Sequence, residues 1–117
     1  MKIKTADLTG PALDWAVAVE EGLTEENAWT TLEIFKAVRA GGGYRYSTNW
    51  SQGGPLIEQE CLDVRVFAEH GALDGGPYWI SERHPAVGHG PTPLIAAMRC
   101  LVAATLGDEV DVPDELV

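Results

Sequence analysis

Two cysteines in 117 residues, Cys61 and Cys100, are too few and too far apart for a disulfide framework or a four-ligand zinc site. A reduced, cytoplasmic setting is the expectation that follows. No apolar run reaches the roughly 20 residues that a membrane-spanning helix needs. The opening "MKIKTADLTG" has two lysines but no apolar stretch behind them, so it does not read as a secretory signal. Basic residues are scarce: 8 against 18 acids, for a net charge of −10. Such a field repels phosphates at long range, and neither direct nucleic-acid binding nor a membrane partner is expected. A local anion site survives this argument. Salt screens distant charges within about 10 Å, whereas hydrogen bonds act at contact.

What is present suits a folded chain. Apolar residues make up 45% and charged residues 22%, which argues for a globular protein, and the length favours one domain over 1–117. "TGPALDWAVAVEEG" is punctuated as a helix. Thr9 or Gly10 can cap it, Pro11 fits its first turn, Asp14 lies near its positive end and Gly22 can close it. Its apolar surface is expected to pack on a sheet. Residues 23 to 43 are ambiguous: Thr24 with Trp29, Leu32, Ile34, Phe35 and Val38 is compatible with a helix, while residues 30 to 38 also suit a strand, the preferred reading, and Gly41 to Gly43 break either. "CLDVRVFAE" alternates as a half-buried strand, with Leu62, Val64 and Val66 on one side and Asp63 and Arg65 on the other. "YWIS" reads as its hairpin partner across the loop "HGALDGGP", and "ERHPAVGHGPTP" reads as irregular. "TPLIAAMRCLVAATLG" has Thr92 as cap, Pro93 at the first position and Gly107 at the end. Arg99 is its only charge, so most of its circumference must be buried. The expected fold is α+β: a compact layered sandwich in which an N-terminal and a long C-terminal helix pack a small antiparallel sheet.

Two stretches could hold a ligand. In "YRYSTNWSQGG", Tyr44, Tyr46 and Trp50 offer flat faces, while Ser47, Thr48, Asn49, Ser51 and Gln52 offer short polar groups. Gly53 and Gly54 would let a ligand approach the backbone. A helix starting at Pro55 would point free amides back at this run. Aromatic faces with amides and hydroxyls suit a nucleobase. The competing reading is a loop whose polar side chains cap local backbone groups. The second stretch is "GHGPTP" with its helix. Gly90 permits close approach, Thr92 supplies a hydroxyl, and Arg99 leans back along the helix towards the positive end, a combination able to hold a phosphate. The competing reading has Arg99 snorkel from the helix and pair with an acid. His70, His84 and His89 lack acid or cysteine neighbours at metal-ligand spacing. Cys61, at a strand start, and Cys100, in the apolar helix, read as buried hydrophobes. No catalytic residue, metal or cofactor is expected.

Three blocks, "MKIKTADLTGPALDWAVAVEEG", "YRYSTNWSQGGPLIE" and "GPTPLIAAMRCLVAATLGDEVDVPDEL", resemble the NinX family of tailed-phage proteins, a domain of unknown function. A looser likeness reaches the phage ABA-sandwich proteins. It rests on Leu13, Asp14, Val17 and Ala18 and on Tyr46, Ser47 and Thr48, with Asn49 where an aspartate is common. This likeness implies a three-layer α/β arrangement. The phage setting implies an accessory role in the host cytoplasm, such as countering host defence. The resulting expectation is a non-catalytic protein that binds a small anionic nucleotide-like molecule, with sequestration of a host immune signal as its use. Tyr46, Trp50 and Gln52 would hold the base or ribose, and Thr92, Arg99 and the amides after Gly90 the phosphate. A homo-oligomer that closes the pocket fits the same reading. The alternative is an acidic inhibitor or DNA mimic acting on a host enzyme or host defence protein.

Overall fold

The computed structural model describes residues 1–22, 44–68 and 78–117, with backbone alone at 67 and 68. The expected strand over 30–38, the breaks at 41–43, the loop 70–77 and His70 lie outside these residues. The chain is α+β. Strand β1 (Lys2–Lys4) leads through a 3-10 turn (Thr5–Asp7) into helix α1 (Gly10–Glu20). Helix α2 (Trp50–Gln59) precedes strands β2 (Asp63–Ala68), β3 (Tyr78–Arg83) and β4 (Ala86–Gly90). Helix α3 (Pro93–Leu106), strand β5 (Glu109–Asp111) and a 3-10 turn (Asp114–Leu116) complete the described order.

Helix α3 carries the most legible sequence, and it forms as its punctuation predicts. The Thr92 side chain accepts the Ile95 N–H at 3.1 Å, Pro93 opens the helix, and Gly107 ends it at φ +92°. Leu94, Ala96, Ala97, Met98, Cys100, Leu101 and Val102 are buried. A helix apolar on nearly all sides becomes a central layer. One side of α3 lies on the antiparallel sheet β2-β3-β4, and α1 packs against it as well. Among the described residues the main neighbour of α1 is α3.

The segment expected to be irregular, 82–93, contains strand β4. Ser81 pairs with Gly88, and Trp79 with Gly90, so β4 continues the β2-β3 hairpin as a meander. Its sequence, "AVGHG", is poor in strand formers, and small residues take their place for a packing reason. A Cβ on Gly88 would stand 2.3 Å from both the Ala96 carbonyl oxygen and the Cys100 nitrogen. The strand thus lies directly against the backbone of α3. On the opposite face of β2 and β3, Arg65 bonds Asp63 at 2.8 Å and also pairs with Glu82. The alternation read from "LDVRV" puts these charges together at the surface.

Helix α2 begins at Trp50, five residues before the expected start at Pro55. Asn49 caps it, accepting the Ser51 N–H at 2.9 Å and the Ser51 hydroxyl at 2.6 Å. Two glycines and a proline argue locally against a helix, since Pro55 lacks the N–H that would reach the Ser51 carbonyl. Tertiary packing outweighs this preference. Leu56 is buried, and Gly53 is wedged where a Cβ would meet the Tyr46 carbonyl oxygen at 2.2 Å and Leu94 at 2.7 Å. The helix ends at Cys61, which takes the left-handed conformation (φ +53°). The Cys61 N–H bonds the Glu58 carbonyl at 3.2 Å and the Leu62 N–H bonds the Ile57 carbonyl at 3.0 Å, the paired pattern of a Schellman terminus. Cys61 is thus an exposed helix-stop residue rather than a buried strand opener, whereas Cys100 is buried as expected.

A second, two-stranded ladder joins sequence-distant segments. Lys2, Ile3 and Lys4 pair with Asp111, Val110 and Glu109. Thr5 reinforces it, its hydroxyl donating to the Gly107 carbonyl at 2.6 Å and its N–H to the Asp108 carbonyl at 2.8 Å. Val110, Val112 and Leu116 bury their side chains in the core behind this ladder.

Candidate functional site

The run from Tyr44 to Gly54 is largely engaged in holding the chain together. Tyr46, Ser47 and Thr48 form a turn, and Ser47 is 2% exposed. The Ser47 N–H donates to Asp14 Oδ1 at 2.8 Å, which ties this turn to α1. Asp14 is itself buried, and burial pushes its pKa up, with the Ser47 amide and the Arg45 charge acting the other way. The Ser47 hydroxyl lies near this carboxylate but makes no hydrogen bond. Asp14 was read as a partner for the helix dipole; its structural role is this contact across 33 residues of chain. Gln52 Oε1 accepts the Arg45 N–H at 2.7 Å, and Asn49 caps α2. The Gln52 and Gly53 amides bond the Asn49 carbonyl. Tyr44 and Tyr46 stack with ring centroids 6.0 Å apart. Trp50, 57% exposed, stands out from α2, and Gly54 lies beside its ring.

The start of α3 is similarly occupied. Thr92 caps Ile95, the Ala96 N–H bonds the Thr92 carbonyl at 3.1 Å, and Pro93 has no N–H. Gly90 faces Ile95, whose Cγ2 would lie 2.8 Å from a Cβ at that position. The two sequence blocks do meet, through Gly53 and Leu94, but what joins them there is packed protein.

Arg99 points elsewhere. Its Nε donates to the Leu8 carbonyl at 2.8 Å and its Nη1 to the His89 carbonyl at 2.8 Å. It clips the entry of α1 to strand β4, and neither contact is an acid. Burial lowers the pKa of its guanidinium, against weaker opposing effects of Tyr78 and Asp7. A guanidinium has five donors, so two carbonyls leave part of its fork for another acceptor. Arg99 lines a depression of about 380 Å³ between β4 and the β1–β5 ladder. Lys4, Asp108 and Glu109 also line it, as do Tyr78 and His89, whose rings stack 5.9 Å apart at an interplanar angle of 17°. None of the residues from Tyr44 to Gly54 lines this depression.

Of the residues expected at a site, the structure therefore places Arg99 in a cavity. Ser47, Asn49, Gln52, Gly53, Gly90 and Thr92 are engaged with the chain's own atoms. Tyr46 and Thr48 belong to the turn, and Trp50 is a surface aromatic on α2. Sequence reading missed Lys4, Tyr78, His89, Asp108 and Glu109. They come from separate segments, and only the β1–β5 ladder and the β3–β4 pairing bring them together.

A second charged cluster lies at the other end of the helices. Carboxylate oxygens of Glu20, Glu21 and Glu60 lie within 4.8 Å of one another, and Arg83 Nη1 bonds Glu60 at 2.8 Å. Among the described residues, no helix is long and apolar enough to cross a membrane.

The family model described as Bacteriophage P22, NinX matches residues 4–105, most of the chain. Among curated proteins none matches it.

Proposed function

The chain belongs to the phage P22 NinX family, and on that premise we propose that it binds a small anionic, nucleotide-like molecule without turning it over. In this reading it acts as an accessory protein in the host cytoplasm, withdrawing a signal on which host defence depends. The observation that carries the proposal is the part-buried Arg99, which has donors beyond its two carbonyl bonds and lines a depression shared with a stacked Tyr78–His89 pair. A guanidinium suits phosphate, and stacked rings offer a face to a base. The base and phosphate contacts thereby move from the Tyr46–Gln52 run and Thr92 to the depression, with Arg99 retained. Its volume is at the small end of ligand pockets, which run from about 300 to 1,000 Å³.

The competing reading, an acidic inhibitor or DNA mimic, is less favoured by the charge arrangement. In the β1–β5 ladder, Lys2 stands opposite Asp111 and Lys4 opposite Glu109, so this acidic segment is interleaved with cations.

The test is a thermal-shift screen of the whole chain against mononucleotides, cyclic nucleotides and ADP-ribose derivatives, with mass spectrometry of each hit. A ligand at 100 times its Kd adds about 2.7 kcal/mol. A stabilising ligand recovered intact, whose effect shrinks in Lys4→Ala and Arg99→Lys, supports the proposal. The absence of any shift across the panel, or a chemically altered ligand, overturns it.

A further inference from the structure

Two acids line the same depression as the cations, and a phosphate alone gives them nothing to do. Glu109 stands opposite Lys4 across the β1–β5 ladder, close enough for their charges to offset. Asp108 is not a ladder partner of either lysine. Its backbone is fixed, because its carbonyl accepts the Thr5 N–H at 2.8 Å, and the residue, exposed to solvent, is among those that line the cavity. The depression therefore has a cationic end at Arg99, aromatic rings at Tyr78 and His89, and an acceptor at Asp108. Resting on the nucleotide reading above, we infer that the site selects a guanine-type base, with the Asp108 carboxylate receiving its donor edge while Arg99 holds the phosphate.

The chemistry of the bases makes this choice. An ionised carboxylate only accepts hydrogen bonds, through two oxygens side by side. Guanine presents two adjacent donors on one edge, the ring N1–H and the exocyclic amino group, and can satisfy both oxygens. Adenine and cytosine present an amino group beside an acceptor nitrogen, so one oxygen is opposed by a lone pair. Uracil and thymine present one N–H between two carbonyls, both of which a carboxylate repels. A well-placed bidentate contact discriminates between bases by about tenfold or more. The cavity of about 380 Å³ limits the ligand to a single nucleotide.

Isothermal titration of the full chain with 5′-GMP, AMP, CMP and UMP tests this. GMP is expected to bind at least about tenfold more tightly than UMP. In Asp108→Asn, whose side chain is exposed, the ratio should fall towards one, because an amide both donates and accepts. Lys4→Ala should weaken all four nucleotides alike. Four affinities within threefold of each other, or a preference that survives Asp108→Asn, would overturn the base assignment and leave the nucleotide reading standing. Failure of all four to bind at millimolar concentration would overturn this inference, while the nucleotide reading falls only if the cyclic nucleotides and ADP-ribose derivatives fail as well.

Discussion

Glu20, the last residue of α1, has one carboxylate oxygen buried with no hydrogen-bond partner. Burial first, then Glu21 and Glu60, raise its pKa from an ordinary 4.5 to about 7, with Arg83 opposing. The folded protein therefore holds this proton more tightly than the unfolded chain. Its contribution to stability is fully present below about pH 4.5 and is lost as pH rises towards about 7. Urea denaturation across this window should show falling stability in the native protein and a flatter profile in Glu20→Gln. Identical slopes would show that the cluster does not govern the titration. Nothing in the sequence marks Glu20 among 18 acids. Its environment depends on Glu60 and Arg83, which the helix ends and strand β3 bring to it. Arg99 was legible for the opposite reason: it is the one charge in an apolar helix, so it had to serve a partner. The partners proved to be two carbonyls, which no side-chain pattern encodes.

At the scale of elements, strong periodicity and unambiguous caps read correctly. The caps at Thr92 and Gly107 rest on residues whose preference agrees with their packing, and the alternation holds from Leu62 to Arg65 but fails at Val66, which is exposed. The errors at α2 and β4 share one cause. Both elements use glycine where sequence reading sees a break, because the glycines make room for a neighbouring backbone or side chain. At Gly53 and Gly90, where the sequence suggests room for a ligand, the neighbours are the protein's own Tyr46, Leu94 and Ile95. Gly88→Ala checks this reading. The added methyl would press on the backbone of α3 at Ala96 and Cys100, neither of which can rotate away. The expected cost is about 1–3 kcal/mol, the usual range for overpacking, seen as a lower urea midpoint at unchanged slope. An unchanged midpoint would mean that β4 stands further from α3 than described here.

For the whole molecule, the α+β class was legible because it follows from the mixture of a 3.6-residue and a two-residue periodicity. The cavity was not, because its walls come from β1, β3, β4, α3 and the start of β5. No local pattern pairs Lys4 with Glu109. The β1–β5 ladder is thus both the hidden part of the fold and one wall of the candidate site. Deleting residues 108–117 removes Val110, Val112 and Leu116 from the core and leaves β1 unpaired. The truncated chain is expected to lose cooperative unfolding, as judged by a broadened denaturation curve, and with it one wall of the proposed site. A sharp transition at the native midpoint would show that the ladder is an accessory.

Thr5 reaches Gly107 across 102 residues of chain, and this distance has a consequence for synthesis. Strand β1 emerges from the ribosome before the sheet and α3, and its partner β5 only after them. Helices and the β2–β4 meander can form as they appear, whereas the ladder must wait for a late segment. The wall of the cavity that carries Lys4 and Asp108 is therefore among the last parts to assemble, so a nascent chain cannot capture a ligand there before its fold is complete.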